Sequence, residues 1–369
     1  MGKKRIMVIF GTRPEAIKMV PVIKTLEKAA EFEPIVVVTG QHRQMLDQVL
    51  ETFDVSPAFD LNLMSDQQTL TKITVSVLSQ MEQLLKATKP DAVLVHGDTT
   101  TTLAASLAAF YQQIPVGHVE AGLRTWQKYD PFPEEINRQL TDAITQWYFA
   151  PTERSRQNLL KEHRDESKIY ITGNTAIDML AHTVSDHWQL PMQNQIAPNA
   201  KIILLTMHRR ENQGAPMKAA FSAINDFVLE HPEIEVVFPV HLSPNVQKAA
   251  HQAFDDNGRV HLIAPLNVID FHNLAARSWL IMTDSGGIQE EAPSLGKPVL
   301  VLRDTTERPE GVQAGTLKLV GTDAKTIQKW LTAFLNDRTV YEQMARAQNP
   351  YGDGQAAKRI VDVLRRELN

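Results

Sequence analysis

The chain has 369 residues, of which 43% are hydrophobic and 22% are charged, and these proportions are ordinary for globular proteins. At about 150 residues per domain, the length predicts two or three domains, and we expect two. The net charge of -5 provides no basic field that would indicate a nucleic acid or an anionic membrane as a partner. Because the chain has no cysteine, disulfides, thiolate catalysis and cysteine zinc sites are excluded.

The sequence contains no segment typical of membrane insertion or secretion. No apolar run approaches the roughly 18 residues of a membrane helix. The basic residues Lys3, Lys4 and Arg5 precede an apolar stretch that is too short for a signal peptide. The lack of cysteine also fits a reducing compartment, so we expect a cytoplasmic protein.

Short runs rich in Val and Ile alternate with longer amphipathic stretches, which is the pattern of repeated βα units. In the first half, this pattern predicts strands at residues 6–10, 34–39, 92–96, 116–120, 147–150 and 169–172. A helix is predicted to begin near Pro14, because Ile17, Val20, Ile23 and Leu26 recur on one stripe after it.

The alternation breaks near residue 173 and restarts near residue 200. In the second half, it predicts strands at residues 202–206, 235–240, 260–264, 279–283, 299–302 and 317–320. We therefore expect an α/β protein with two doubly wound Rossmann-like domains that face each other across a cleft. The expected parts are an N-terminal domain (1–172), a connection (173–199), a C-terminal domain (200–350) and a final helix (351–369). Periodicity does not decide on which domain that helix packs; the N-terminal domain is one option.

Polar motifs follow the predicted strands of the first half. The sequence GTRPEAIK follows the first strand, and Arg13 and Lys18 beside a strand-to-helix turn predict an anion site. Asp98, Glu120 and Glu134 lie at or beyond the ends of later strands, and several acids in different environments suit acid/base catalysis. Structural alternatives stay open: solvated cations, a helix N-cap role for Asp98 and a helix-dipole role for Glu134.

The second half contains a candidate diphosphate cradle in the sequence DSGGIQEE, which follows a predicted strand. Gly286 and Gly287 would let backbone N–H groups approach phosphates, and Ser285 adds a hydroxyl. Glu291 is placed to accept hydrogen bonds from ribose hydroxyls. The alternative is a plain tight turn.

Further cations follow other strands of the second half. His208 and Arg209 come after one predicted strand, His241 after another, and Arg308 lies in the sequence RDTTERPE after a third. Signatures of nucleotide-binding Rossmann and P-loop proteins, zinc proteases and serine hydrolases do not occur in the chain. We therefore expect no metal, and a bound nicotinamide or a P-loop NTPase mechanism is disfavoured.

The chain resembles the bacterial non-hydrolysing UDP-N-acetylglucosamine 2-epimerases in a series of motifs along nearly its whole length: GTRPEAIK, QHRQMLDQV, VLVHGDTTTT, GHVEAGLRT, PEEINR, HRREN, DSGGIQEEAPSLGKPVLVLRDTTERPE and NPYGDG. The resemblance implies the GT-B fold of many nucleotide-sugar glycosyltransferases and a homodimer. It also implies interconversion of UDP-N-acetylglucosamine and UDP-N-acetylmannosamine without a cofactor, which supplies cell-surface polysaccharide synthesis.

The resemblance also implies roles for individual residues. The residues with implied catalytic roles are Asp98, Glu120, Glu134, His208 and Lys18. Those implied to bind the UDP-sugar are Arg13, Phe271, Ser285, Gly286, Gly287, Glu291 and Arg308. A second site for activation by substrate is implied by Gln41, His42, Gln44, Arg209 and His241. Gln67 stands where an arginine is common in regulated members of the family.

Three other functions stay open at this stage. A hydrolysing epimerase of the same fold would release free N-acetylmannosamine and UDP. A glycosyltransferase would use the same UDP cradle and pass the sugar to an acceptor. A non-catalytic UDP-sugar sensor would bind the ligand only. The carboxylates favour an enzyme that transfers protons over a glycosyltransferase or a sensor.

Overall fold

The computed structural model describes residues 2–40, 43–63, 69–189, 192 and 195–368. The chain divides into two compact units: Met1–Met179 with Gly352–Asn369, and Leu180–Tyr351. The first therefore consists of two separate segments of the sequence. Among the described residues, no helix is both long enough and apolar enough to cross a membrane.

The first unit is built on a parallel sheet. Its strands are β1 (Lys4–Phe10), β2 (Phe32–Val38), β3 (Phe59–Asp60), β4 (Ala92–His96), β5 (Val116–Val119), β6 (Trp147–Ala150) and β7 (Ile169–Ile171). Among the described residues, their order in the sheet is β3-β2-β1-β4-β5-β6-β7, and all neighbours are parallel. The sequence predicted all of these except β3, whose two residues are too few for a periodic signal.

Helices cover both faces of this sheet. They are α1 (Arg13–Lys28), α2 (Arg43–Thr52), α3 (Leu70–Thr88), α4 (Thr100–Tyr111), α5 (Glu134–Ile144), α6 (Glu153–Lys161) and α7 (Thr175–Thr183). Side chains of β1 alternate between the faces: Ile6 and Val8 pack in a cluster with α1, whereas Met7 and Ile9 pack in a cluster with α3 and α4. The predicted helix start near Pro14 is confirmed, because Pro14 lies in the first turn of α1.

The second unit has a similar sheet. Its strands are β8 (Lys201–Thr206), β9 (Ile234–Pro239), β10 (Val260–Ile263), β11 (Leu280–Thr283), β12 (Val299–Val301) and β13 (Leu317–Leu319). In the described part of the chain they are ordered β10-β9-β8-β11-β12-β13, with all neighbours parallel. The helices are α8 (Ala215–Glu230), α9 (Pro244–Phe254), α10 (Val268–Arg277), α11 (Gly286–Glu291), α12 (Pro309–Gln313), α13 (Ala324–Asn336) and α14 (Arg338–Ala345).

The last helix, α15 (Ala356–Glu367), belongs to the first unit and packs against α1. At its start, the Asp178 carboxylate accepts hydrogen bonds from the backbone nitrogens of Ala356 and Ala357, at 3.1 and 2.8 Å. At its end, Glu367 accepts hydrogen bonds from the Trp147 indole at 3.0 Å and the Tyr170 hydroxyl at 2.9 Å. Both ends of α15 are therefore anchored in the first unit.

Each sheet has one point at which the order of strands reverses. In the first unit this point lies between β1 and β4, and in the second unit it lies between β8 and β11. Both units are doubly wound, so the predicted α/β fold with two Rossmann-like domains is confirmed. Ligands of such sheets bind beyond the carboxyl ends of the strands at the reversal. We therefore expect the residues that follow β1, β4, β8 and β11 to contact a ligand.

Candidate active site

Glu15 joins the turns after β1 and β4 in the first unit. Its Oε2 accepts hydrogen bonds from the backbone nitrogens of Gly11 and Thr12, at 3.0 and 2.8 Å. Its Oε1 accepts hydrogen bonds from the hydroxyls of Thr99 and Thr102, at 2.7 and 3.1 Å. The side chain is buried, so this carboxylate holds the two turns in fixed register. Sequence reasoning missed Glu15, although the Thr-x-x-Glu spacing from Thr12 is a capping-box signal.

Glu120, directly after β5, lies at the centre of a buried polar cluster. Its Oε2 pairs with the Lys18 ammonium, accepts a hydrogen bond from Asn174 at 3.1 Å and lies 3.7 Å from His96 Nε2. Burial opposes ionisation, but Lys18 and His96 hold the pKa of Glu120 well below its usual range. Its φ of 68° is an uncommon conformation for a residue with a side chain. Glu120 is thus held as an ionised carboxylate.

Asp98, which follows β4, has a different environment. Its Oδ2 lies 2.8 Å from Arg138 Nη2, and its backbone carbonyl accepts a hydrogen bond from the Asn137 side chain at 2.9 Å. Burial raises the pKa of Asp98; Arg138 opposes this effect, whereas Glu120 and Glu134 reinforce it. Asp98 therefore stays protonated up to a higher pH than an ordinary aspartate does. The sequence did not single out Arg138.

Neither Asp98 nor Glu134 is a helix N-cap residue. The N-cap of α4 is Thr99, whose hydroxyl accepts a hydrogen bond from Thr102 N, so Asp98 does not have that role. Glu134 is the first residue of α5, which is compatible with the helix-dipole role, and it also acts electrostatically on Asp98. The first unit therefore brings the predicted acids and Lys18 into one electrostatic cluster.

A fully buried ionic network supports the loops of this cluster. His118 Nδ1 lies 2.6 Å from Asp142 Oδ1, and its Nε2 lies 2.7 Å from the carbonyl oxygen of Gly97. Arg124 donates a 2.6 Å hydrogen bond to Asp142 Oδ2. Although burial alone would raise it, His118 and Arg124 lower the pKa of Asp142. The network fixes Gly97, the residue directly before Asp98.

Glu135, next to the predicted Glu134, has a structural role. It is fully buried and accepts hydrogen bonds from the backbone nitrogens of Thr125 and Trp126, both at 3.0 Å. It also lies 3.7 Å from Arg138, the partner of Asp98. Of the two adjacent acids, Glu135 therefore supports the loop and Glu134 is the partly exposed one.

Arg13 is the first residue of α1 and is partly buried. Among the described residues, no carboxylate forms an ion pair with it. An unpaired cation at a helix N-terminus favours an anion, as the sequence predicted.

Asp284, directly after β11, organises the corresponding edge of the second unit. Its Oδ2 accepts hydrogen bonds from the backbone nitrogens of His208 and Arg209, at 3.0 and 2.8 Å, and from the Asn212 side chain at 3.0 Å. The His208 ring stacks on the His241 ring, with centroids 5.2 Å apart. Burial lowers the pKa of His208, and Asp284 opposes that effect.

Two residues of the predicted effector site, Arg209 and His241, thus lie in this group around His208. Arg209 Nη2 also forms a 2.9 Å hydrogen bond with Glu307. Gln41, His42 and Gln67 lie outside the described residues. Gln44 belongs to α2, but its side chain is not described. The effector site stays a prediction.

The predicted diphosphate cradle lies at the start of α11, where Ser285 is the N-cap residue. A Cβ atom on Gly286 would lie 2.8 Å from Glu307 Oε1, so this position has no room for a side chain unless Glu307 moves. A Cβ atom on Gly287 would have no neighbour within 4 Å. Arg308 is close by: it pairs with Glu290 and lies near the same Gly286 position.

The remaining predicted residues of the second unit flank this cradle. Glu291 ends α11, and its Oε2 lies 3.3 Å from His272 Nε2. Phe271 is partly buried against the cluster that contains Leu274 and Ile281. Sequence reasoning missed His272 and Glu290, whose partners lie on other elements.

Residues 24–365 match the family model described as UDP-N-acetylglucosamine 2-epimerase. The chain belongs to this epimerase family. It is 59% identical to the UDP-N-acetylglucosamine 2-epimerase of Bacillus subtilis, over 99% of this chain and 96% of the relative. It is 52% identical to the enzyme of that name from Escherichia coli K12, over 98% of each chain.

A solved structure of the epimerase family gives the same result. The crystal structure of the UDP-GlcNAc 2-epimerase from Neisseria meningitidis, bound to UDP-GlcNAc, aligns with a TM-score of 0.87 and 50% identity, over 98% of this chain and 100% of that chain. The family expected from the motifs is therefore confirmed. The roles of the individual residues stay predictions.

Proposed function

We propose that this chain is a non-hydrolysing UDP-N-acetylglucosamine 2-epimerase, which interconverts UDP-N-acetylglucosamine and UDP-N-acetylmannosamine without an added cofactor. The main support is the contrast between ionised Glu120 and the more readily protonated Asp98 in one cluster. Groups whose environments move their pKa values apart are suited to proton removal and proton donation. The names of the relatives and the UDP-GlcNAc bound in the Neisseria enzyme support the substrate.

The chemistry of the substrate explains why both carboxylates and cations are needed. The proton on C2 is not adjacent to a carbonyl, so its direct removal gives no stabilised enolate. If the C1–O bond to UDP breaks with oxocarbenium character, the C2 proton becomes acidic and a carboxylate can remove it. The products in the site are then 2-acetamidoglucal and UDP. Proton addition from the opposite face, with return of UDP to C1, gives the epimer.

The acids of the first unit would supply the proton transfers. Asp98, Glu120 and Glu134 divide the roles of base, acid and cation stabiliser. Each well-placed acid or base contributes about 100- to 10,000-fold to the rate. Lys18 keeps Glu120 ionised, and Arg13 adds positive charge for the leaving UDP.

The second unit would hold the nucleotide. The N-terminus of α11 offers backbone N–H groups for the diphosphate, Ser285 adds a hydroxyl, and Arg308 and His208 add donors. Glu291 would accept hydrogen bonds from the ribose, and Phe271 would contact the uracil.

Isotope exchange tests this proposal directly. Purified protein is incubated with UDP-N-acetylglucosamine in deuterated water, and the products are followed by NMR. Deuterium at C2 of a UDP-sugar, together with UDP-N-acetylmannosamine, is the expected result. Free N-acetylmannosamine with UDP would instead identify a hydrolysing epimerase. An unchanged substrate would leave a glycosyltransferase or a sensor and would contradict the proposal.

We further propose a cytoplasmic homodimer that is activated by its own substrate through Arg209 and His241. Gln67 stands where an arginine is common in regulated members of the family, so the activation has an experiment of its own. The reverse reaction, starting from UDP-N-acetylmannosamine, is the test. A hyperbolic rate curve that needs no added UDP-N-acetylglucosamine would show that the effector site does not operate.

A further inference from the structure

His272 on α10 is a buried histidine that contacts the last residue of α7 and the last residue of α11, both of which belong to the second unit. Its Nδ1 lies 2.8 Å from the Thr183 hydroxyl, and its Nε2 lies 3.3 Å from Glu291 Oε2. Its exposed fraction is 3%, so the ring is almost entirely surrounded by protein. The result is a continuous chain of side chains from Thr183 through His272 to Glu291.

The chemistry of these groups determines the direction of the hydrogen bonds. A carboxylate oxygen accepts hydrogen bonds, so the His272 tautomer with its proton on Nε2 is the one that can donate to Glu291. In this tautomer Nδ1 is an acceptor for the Thr183 hydroxyl at 2.8 Å, which is a shorter contact than the 3.4 Å one between that hydroxyl and the Leu180 carbonyl oxygen. The shorter contact favours the tautomer that can donate to Glu291.

Thr183 is itself held in place. The Asn273 side chain donates a 2.6 Å hydrogen bond to the backbone carbonyl of Thr183, and the same side chain accepts one from Ser185 N at 2.8 Å. Asn273 follows His272 on α10, so the helix fixes both the ring and its partner. The buried residue that contacts Glu291 is thus itself held by neighbouring side chains.

We propose that Thr183 and His272 position the Glu291 carboxylate as an acceptor for a ribose hydroxyl, and so make the site selective for a uridine ribonucleotide over its 2′-deoxy form. The inference rests on the proposed role of Glu291 in UDP binding. His272 Nε2 contacts Oε2 of Glu291, whereas Oε1 of Glu291 has no hydrogen-bond partner among the described residues. The Glu291 side chain keeps 17% of its surface exposed, which allows a ligand to reach it. His272 is a positioning residue, because it acts through Glu291.

Calorimetry with UDP and 2′-deoxy-UDP tests the inference. A hydrogen bond to a charged group predicts that the wild-type protein prefers UDP by about 10- to 100-fold. The H272N variant keeps a polar group near the Thr183 hydroxyl but has no N–H group at the position of Nε2, which faces Glu291. We therefore expect it to lose most of the preference for UDP. The H272Q variant places an amide donor near the former Nε2 and should restore much of it. The T183V variant should lose part of the preference.

The affinity for 2′-deoxy-UDP is the internal control, because that ligand lacks the hydroxyl in question. The affinity for 2′-deoxy-UDP should stay within about twofold of wild type in every variant. Each variant is expected to fold and to bind the uracil and the diphosphate as the wild type does. Weakened binding of both ligands in H272N would indicate a general structural role and overturn the inference. So would an H272N protein that keeps the full preference for UDP.

A further variant separates this inference from the proposed function. If wild type and E291Q bind UDP and 2′-deoxy-UDP equally well, Glu291 does not contact the 2′-hydroxyl, and the proposed ribose role fails first. If E291Q loses the preference and H272N retains it, Glu291 binds the ribose but His272 does not position it. The two failures are therefore distinguishable.

Discussion

Lys18 and Glu120, which lie 102 positions apart in the sequence, form a buried ion pair in the first unit. Lys18 lies in the second turn of α1, and Glu120 follows β5, so the pair joins the two elements across β1 and β4. An isolated buried carboxylate would tend to be protonated. The pair therefore keeps this carboxylate ionised although burial opposes its charge.

Replacing Lys18 should therefore change how activity depends on pH. The K18M variant removes the main cation that lowers the pKa of Glu120, so that pKa should rise. Ionised Glu120 would then be lost at higher pH, and the acidic limb of the kcat/KM profile should shift upward in pH. The K18R variant keeps the charge and should shift much less. Superimposable profiles for K18M and wild type would contradict the assignment.

Amide variants test the predicted acids one at a time. We expect D98N, E120Q and E134Q each to lower turnover by about 100- to 10,000-fold. Thermal melts show whether each variant remains folded, which matters most for E120Q because it removes the charge that pairs with Lys18. The matched control is E153Q, since Glu153 is an exposed acid at the start of α6. Turnover within a fewfold of wild type in any of the three would remove that residue from the mechanism.

The buried network around Asp142 should be a major source of stability. The D142N variant leaves the Arg124 charge buried without one of its carboxylates, and loss of a buried partner costs about 3–5 kcal/mol. Urea unfolding measures this change. The E82Q variant, which breaks an exposed pair with Lys86, should cost less than about 1 kcal/mol.

Asp142 should also contribute to acid sensitivity. Its pKa is lowered in the folded state, so its contribution is present above the pKa of the unfolded chain, about 3.9, and is lost as the pH falls toward the folded value. The free energy of unfolding of wild type should therefore fall more steeply below about pH 4 than that of D142N. Parallel curves for the two proteins would show that Asp142 is not linked to folding in this way.

The two glycines of α11 should respond differently to alanine. The G286A variant must displace Glu307, which also contacts Arg209, so we expect lower stability and weaker UDP binding together. The G287A variant meets no protein atom, so its melting temperature should match wild type. Its UDP affinity should still fall, because the new methyl group would obstruct backbone approach to the diphosphate. Unchanged UDP affinity in G287A would place the diphosphate elsewhere.

The strands and the acids were predictable because each depends on local sequence. Short apolar runs indicated every strand except β3, and polar residues at or just beyond the ends of such runs indicated Asp98 and Glu120. Glu15 could have been predicted as well, since its capping box with Thr12 spans four residues. Its additional bonds to Thr99 and Thr102 could not, because they depend on the pairing of β1 with β4.

The supporting residues were not predictable for the same reason. Arg138 is an ordinary helix residue until α5 brings it to Asp98, 40 positions earlier in the numbering. His272 has partners 89 positions before it and 19 positions after it, on different elements. Neither contact leaves a periodic or spaced signal in the sequence. Such residues depend on tertiary structure, which local patterns do not encode.

The position of α15 has a consequence for how the protein is made. Domains generally fold as units during synthesis, in order from the N-terminus. The first unit, however, includes α15, whose side chains complete the core beside α1. The second unit lies between these segments in the sequence, so all of it leaves the ribosome before the first unit can bury its remaining apolar surface. The unit that begins translation is therefore the last to be completed.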